Sequence, residues 1–472
     1  MSGSPELVNA LRDALGAPGI REEADDLRFY GADRCRGDWP VEPAVVVLPA
    51  SVEEVVAVVR ACAEHGAKIV PSGGRTGLAG AATATGGEVV VSLERMNRIL
   101  EVDRAGRILR CQAGASVEAV QHAAAEVGLS YPVDFAAKGT AQLGGSIATN
   151  AGGVKVLRYG TTRRWVAGLR VVTASGDVLD LGGALVKDNT GYDLRQLFIG
   201  SEGTLGLIVE ATVYLCSPPR GQVVALCAVP DEQRVLDLFS RVQSSMLLQA
   251  FECFDQGCLA HVLAHRAGTG RGPFAEPSAQ HALIEVEVEG LGAAARDEAL
   301  ERLTECLADA QDAGEIVDAV VAGTPAQERD LWALREGVSE SLHGHCPHKA
   351  DVALPLARVI QFVVQWRELV EQHLPGVEAV VFGHIGDGNL HLNILKPESM
   401  SLPDFHARCH AFDEHTYALV QSMGGSISAE HGIGLLKRDH LHYSRSAAEI
   451  AMMRAVKQAI DPQGMFNPGK IF

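Results

Sequence analysis

The sequence predicts an α+β protein of more than one domain, and three observations carry that reading. From about Pro43 to Leu215, short β-branched runs are interrupted by glycine-rich turns and two helical stretches. A β-α-β-β-α-β order then follows over 222–322, which reads as a ferredoxin-like unit. The length, 472 residues, is about three times that of an ordinary ~150-residue domain.

Taken in order, MSGSPELVNALRDAL has the apolar spacing of an amphipathic helix capped near Ser4. It lacks the basic start and apolar stretch of a signal peptide. AVVVLPA, AKIVPSGG, GEVVVSL, LRCQAGA, LRVVTASG and GLIVEATVYL read as strands. Ser217-Pro-Pro-Arg-Gly221 reads as a linker, so 1–220 is the expected first domain. In the ferredoxin-like unit, VVALCAVP, LQAFECFD, ALIEVEVEG and EIVDAVVA are the strands, and EQRVLDLFSRVQ and AARDEALERLTECLADA the helices. Residues 325–450 hold helices and two strand-rich segments, and the second domain is expected to run from 221 to 440. A helix and a turn-rich tail fill 441–472.

Composition narrows the function. With 47% hydrophobic and 21% charged residues the chain reads as soluble and globular. A net charge of −18 disfavours generic binding to nucleic acid or anionic membranes, and an anionic substrate would then need a local basic pocket. The 10 cysteines are scattered without a C-x-x-C pair, which suits a reducing, cytoplasmic setting. No apolar run reaches the ~18 residues of a membrane span. Gly464 to Lys470 matches the Walker A spacing, but Ile471 stands where Ser or Thr is needed and no helix can follow. There is no G-x-S-x-G elbow and no H-E-x-x-H.

Glycine is in excess, 50 residues, and collects at 73–80, 144–153 and 200–206, where backbone must turn tightly or approach a ligand closely. Pro71 to Gly80 follows a strand and offers N–H groups that could converge on a phosphate. Lys138 to Gly153 is too apolar at Leu143 and Ile147 for a plain surface loop. With Asp188 to Gly206 as a third patch, a large, multiply phosphorylated cofactor is favoured over a set of surface turns.

Two further constellations carry chemistry. VVFGHIGDGNLHLNIL reads as a hairpin closed by an Asp387-Gly388 type I′ turn, a register that opposes His384 to His391 with Asn393 on the same face. Such histidines read either as structural or as metal ligands. Glu430-His431, in SAEHGIG, offers a further carboxylate and imidazole, or else an ordinary ion pair. A His/His/Glu set with an open position is a catalytic type of metal site. Arg335, in LWALREGVS, and Lys349 could neutralise two carboxylates in an otherwise acidic chain, whereas a lone helical arginine is ordinary solvated surface.

These patches, with NPGK near the end, resemble the vanillyl-alcohol oxidase superfamily, in the branch of D-lactate dehydrogenases, glycolate oxidase subunits and D-2-hydroxyglutarate dehydrogenases, over about residues 30 to 470. The resemblance implies a two-part FAD-binding domain, a ferredoxin-like antiparallel cap and a C-terminal helical segment. It implies that Gly73, Gly74, Thr76 and Gly77 cradle the FAD pyrophosphate, beside Ser72, Arg75 and Gly80. Asp134, Gly139, Gly144, Gly145, Thr149, Gly152, Glu202, Gly203, Ile208 and Asn467 would line the rest. Some members bind flavin covalently through a histidine in or near the first patch. None occurs here from 66 to 121, so non-covalent FAD is expected.

By the same resemblance, GHxGDGNxH and SxEHG make His384, His391 and Glu430 the metal ligands and His431 the base, with zinc ahead of manganese, cobalt or iron(II). LWALRE, FIGSEGTLG, KDNTGYDL and LQAFE look closest to the D-2-hydroxyglutarate dehydrogenases. There Arg335, Ser339 (where Thr is common) and Lys349 would grip the distal carboxylate, and Asn393 and His431 would also meet the substrate. The implied reaction is oxidation of D-2-hydroxyglutarate to 2-oxoglutarate by hydride transfer to flavin. A D-lactate or glycolate dehydrogenase and a catalytically silent flavoprotein subunit are the alternatives. An electron-transfer flavoprotein or quinone as acceptor and a homodimer complete the expectations.

Overall fold

Val45–Val47 and Val89–Ser92 are buried at every position, the pattern of parallel strands covered on both faces. In the computed structural model, which describes residues 4–35, 39–266 and 272–472, they are the centre of the first sheet. The chain forms two compact units: Met1–Gly153, Gly160–Pro218 and Glu430–Phe472 make the first, and Val154–Tyr159 with Pro219–Ala429 the second.

In the first unit, β1 (Ile20–Arg21), β2 (Val45–Val47), β3 (Ile69–Ser72) and β4 (Val89–Ser92) lie in the order β1-β2-β4-β3. Only the β1 edge is antiparallel. The helix Val52–Glu64, capped by Ser51 Oγ, turns Val55, Val58, Val59 and Cys62 into the core beneath this sheet. The helix Pro5–Leu15 joins it through Leu7 and Leu11, with Ser4 as its cap. A second sheet holds β5 (Ile99–Asp103), β6 (Ile108–Gln112), β7 (Val166–Val172), β8 (Val178–Gly182) and β9 (Leu207–Tyr214), antiparallel in the order β5-β6-β9-β7-β8.

The second unit is one antiparallel sheet of seven strands. They are β10 (Gln222–Val229), β11 (Leu248–Asp255), β12 (Gln280–Glu287), β13 (Asp318–Val321), β14 (His348–Ala353), β15 (Ala379–Gly383) and β16 (Asn389–Ile394). Their order is β13-β10-β12-β11-β15-β16-β14, so the ferredoxin-like half is present and three later strands extend its edge.

Three expectations need correction. A helix over Gln256–His265 intervenes between β11 and β12, started by Asp255 Oδ1 accepting from Cys258 N at 2.9 Å. The chain re-enters the first unit at Glu430 rather than near 441. Ile433 and Gly434 donate to Glu202 there, and Leu435 donates to the Ala79 carbonyl. The 384–391 hairpin closes on a wider turn than two residues. His384 O accepts from both Asp387 N and Asn389 N, and Asp387 Oδ1 accepts from Asn389 N. The register therefore places Phe382, not His384, opposite His391. A shift of two residues preserves the face, so the histidines still meet, with ring centroids 5.4 Å apart.

One row crosses this sheet: His281 pairs with Phe254, Phe254 with Phe382, Phe382 with His391, and His391 with Asp351. At its far end His281 is 1% exposed and stacked between Phe254 and Phe274, and neither ring nitrogen has a hydrogen-bond partner among the described residues. Burial pushes its pKa down from 6.5 to about 4. The unfolded chain thus takes up a proton below pH 6.5 that the folded chain refuses until about pH 4. The stability this group contributes is complete above pH 6.5 and is lost as the pH falls from there toward 4, on the order of 3 kcal/mol. His281→Leu should flatten that acid limb in urea unfolding. A limb as steep as that of wild type would refute the assignment.

Candidate active site

In the first unit the three glycine patches and the tail converge. A Cβ on Gly74 would lie 2.2 Å from the Thr140 carbonyl, and one on Gly203 would lie 2.7 Å from Pro71, so neither position admits a side chain. Gly73, which follows Ser72 at the end of β3, lies beside Gly145 on the helix Leu143–Thr149. That helix is the second patch, and Leu143 and Ile147 are its buried anchors. Gly144 packs on Ala113, and Thr149 Oγ1 donates to the Gly145 carbonyl at 3.1 Å. Asn467 Nδ2 donates to the carbonyls of Ala81 and Glu202 at 2.9 and 2.6 Å, which ties the tail to the first and third patches.

Strained backbone marks the same place. Arg75, Asn150, Glu202 and Asn467 all adopt positive φ without being glycine, and Gly80 and Gly203 do so too. Arg75 is steadied by stacking over Phe29 and Tyr30 at 4.3 and 4.7 Å. Of the remaining expected residues, Asp134 pairs with Lys138 at 2.7 Å, Gly139 faces Glu118, and Ile208 is buried on β9. Gly77 faces Asp33, while Thr76 and Gly152 lie in the first and second patches themselves. Burial pushes the Glu202 carboxyl up, against the N–H groups of Ile433 and Gly434 and the charge of Lys437.

These residues fit a large polar cofactor. Asp33 Oδ2, Asn467 Oδ1 and Lys470 Nζ are buried here without hydrogen-bond partners among the described residues, and burial pushes Lys470 down to about 8. A Cβ on Gly145 meets nothing within 4 Å. Gly145→Ala should therefore raise apoprotein stability by up to about 1 kcal/mol through helix propensity, yet weaken FAD binding by blocking the approach. Thermal melts with and without FAD read both signs, and unchanged FAD affinity would remove Gly145 from the cradle. Asp33 and Lys470 escaped the sequence reading because no motif surrounds the first and the second belonged to a rejected Walker match.

In the second unit the expected chemistry gathers on the face of the row. His384 Nδ1 lies 2.8 Å from both carboxylate oxygens of Glu252, and Arg335 Nη2 lies 2.8 Å from Glu252 Oε2. Arg335 also sits 4.8 Å over the Phe382 ring. Burial opposes charge on Glu252, but the His384 imidazole and the Arg335 guanidinium beside it hold its carboxyl below the usual range. Burial also pushes Asp387, in the adjoining turn, up to about 6.

Asp351 organises the other end. Its Oδ1 accepts from Asn389 Nδ2 at 2.8 Å and lies 3.7 Å from His391 Nδ1, and its Oδ2 accepts from Ala429 N at 3.1 Å. It thereby holds the residue that immediately precedes Glu430-His431, a pair 3.9 Å apart. Asp351 and His391 carry candidate metal-donor atoms in the second unit, and Glu430 and His431 carry such atoms in the first. Mixed imidazole and carboxylate donors suit zinc, manganese or iron(II).

Lys349 stands opposite Asn393, one step along the same face from the Asp351–His391 pair. Arg335 is buried, and Ser339, four residues on, is exposed on the helical turn Val338–Ser341. Sequence reasoning missed the roles of Glu252 and Asp351. The available signal was an acidic residue at an inward position of an otherwise apolar strand.

Residues 218–471 match the model for the C-terminal domain of FAD linked oxidases, and residues 43–182 match an FAD binding domain. D-2-hydroxyglutarate dehydrogenase of Xanthomonas citri pv. viticola is 46% identical, over 98% of this chain and 96% of its own. That of Stutzerimonas stutzeri is 44% identical over 99% of both, and the mitochondrial enzyme of Bos taurus is 38% identical over 90% and 76%. Among solved structures, p-cresol methylhydroxylase superposes with a TM-score of 0.78 at 18% identity, covering 98% of this chain and 96% of that one. Alkyldihydroxyacetonephosphate synthase gives 0.77 at 18%, covering 99% and 85%. At such identity these two establish the fold alone, that of the vanillyl-alcohol oxidase type.

The chain belongs to the FAD-linked oxidases and is an FAD-dependent dehydrogenase. Its family within that class is that of the D-2-hydroxyglutarate dehydrogenases. Among the described residues no helix is long and apolar enough to cross a membrane.

Proposed function

We propose that this protein oxidises D-2-hydroxyglutarate to 2-oxoglutarate, using non-covalent FAD and a divalent metal. The observation that carries the diacid is Arg335. Its Nε is buried without a hydrogen-bond partner among the described residues, and its Nη2 contact to Glu252 is ionic rather than a well-aligned hydrogen bond, so the guanidinium retains donors for a carboxylate. Lys349, on the same sheet face as His391, adds a second positive charge, and Ser339 and Asn393 add hydrogen bonds.

FAD would be held by the glycine patches of the first unit and would supply the acceptor for a hydride from the substrate α-carbon. His384, His391 and Glu430 would hold a divalent metal, zinc before manganese, cobalt or iron(II), which would supply Lewis acidity toward the 2-hydroxyl. His431 accepts the hydroxyl proton at its imidazole. Ala429, two residues before His431, has its N–H fixed by Asp351. The electron acceptor is an electron-transfer flavoprotein or a quinone, and the working form is a cytoplasmic homodimer.

Anaerobic bleaching of the flavin against D- and L-2-hydroxy acids tests the substrate. D-2-hydroxyglutarate should bleach fastest, and a lead for D-lactate or glycolate would favour those chemistries. No bleaching by any of them would leave the silent-subunit reading. Lys349→Ala should raise KM for the diacid about tenfold while sparing D-lactate. Chelation should abolish turnover with FAD retained.

A further inference from the structure

We infer that Glu252 is a positioning residue that orients His384 and Arg335 together through one buried carboxylate, an inference that rests on the reading of His384 as a metal ligand. Glu252 is 1% exposed on β11, on the face otherwise lined by Ala250, Phe254 and Leu283. An unpaired carboxylate in such surroundings would be strongly unfavourable. Two partners satisfy it, His384 Nδ1 at 2.8 Å and Arg335 Nη2 at 2.8 Å.

An ionised carboxylate only accepts hydrogen bonds, so Nδ1 of His384 must carry the proton. The ring then has its lone pair on Nε2, which is the form that ligates a metal. Arg335 supplies the positive charge that matches Glu252, so the imidazole enters as a neutral donor. Because both partners hang on one side chain, the spacing between the metal-binding imidazole and the carboxylate-binding guanidinium is set by Glu252. A role for Glu252 as counter-ion of Arg335 alone would leave the tautomer of His384 and its metal affinity untouched.

The test is zinc affinity of the purified flavoprotein, read by competition with a chromogenic chelator. Glu252→Gln should bind zinc 10- to 100-fold more weakly than wild type, with FAD content unchanged. Equal affinities would overturn the inference. A wild-type protein that holds no zinc, or a His391→Ala variant that holds it as tightly, would instead overturn the metal reading, and the inference with it. Should Glu252→Gln fail to fold, imidazole nitrogen NMR of metal-free wild type decides, with His384 assigned from the His384→Gln spectrum. A protonated Nδ1 with a bare Nε2 supports the inference, and the opposite tautomer refutes it.

Discussion

Arg335→Ala is expected to destabilise the second unit by about 3–5 kcal/mol, because it leaves the Glu252 carboxylate buried opposite His384 with its main counter-charge removed. Surface ion pairs would not predict this, being worth about 0–1 kcal/mol. Arg335 and Glu252, with side chains 7% and 1% exposed, are far from that case. In a double-mutant cycle, Arg335→Ala combined with Glu252→Gln should recover much of the loss, since the stranded charge goes with it. Denaturant midpoints of the holoprotein measure all four corners. A single variant that unfolds at the wild-type midpoint would show that the pair does not hold the sheet face together. The cycle also governs how substrate data are read, because part of any fall in diacid turnover in Arg335→Ala would reflect lost packing. Lys349, exposed on β14, gives the cleaner kinetic test.

His431→Asn is expected to lower kcat by about 10²–10⁴-fold, the range typical of removing a general base. FAD stoichiometry and metal content should stay at wild-type levels, since His431 is proposed to act on the substrate proton rather than to hold either group. Activity within a few-fold of wild type would assign the proton to another residue, and loss of metal would make His431 a ligand. Glu430→Gln should differ by losing metal, although the two residues are adjacent.

The cofactor half was legible because its signal is local. A glycine that sits 2.2 Å from a crossing carbonyl, or that occupies positive φ, is required wherever its neighbours lie. The runs marked the three patches, and the family resemblance singled out Gly73, Gly74, Gly144 and Gly203 within them. The apolar Leu143 and Ile147 likewise spoke against a plain surface loop, and both are buried on the helix Leu143–Thr149. The His384–His391 hairpin was half legible. Period-two alternation placed both rings on one face, but Asp387 and the His384 carbonyl made the turn wider than the Asp-Gly signal implied. The two-residue error left the face unchanged because side-chain parity survives an even shift.

Residue types at short range thus established the α+β class, the glycine cradle and the histidine pair, since each depends on backbone sterics or on strand and helix period within a few residues. Packing supplied what no window of sequence contains. Glu252 meets His384 across 132 residues of chain, and Ile433 reaches Glu202 across 231. Such pairings follow from strand order and from the cost of burying a charge alone, so they emerge only when distant segments share one interior.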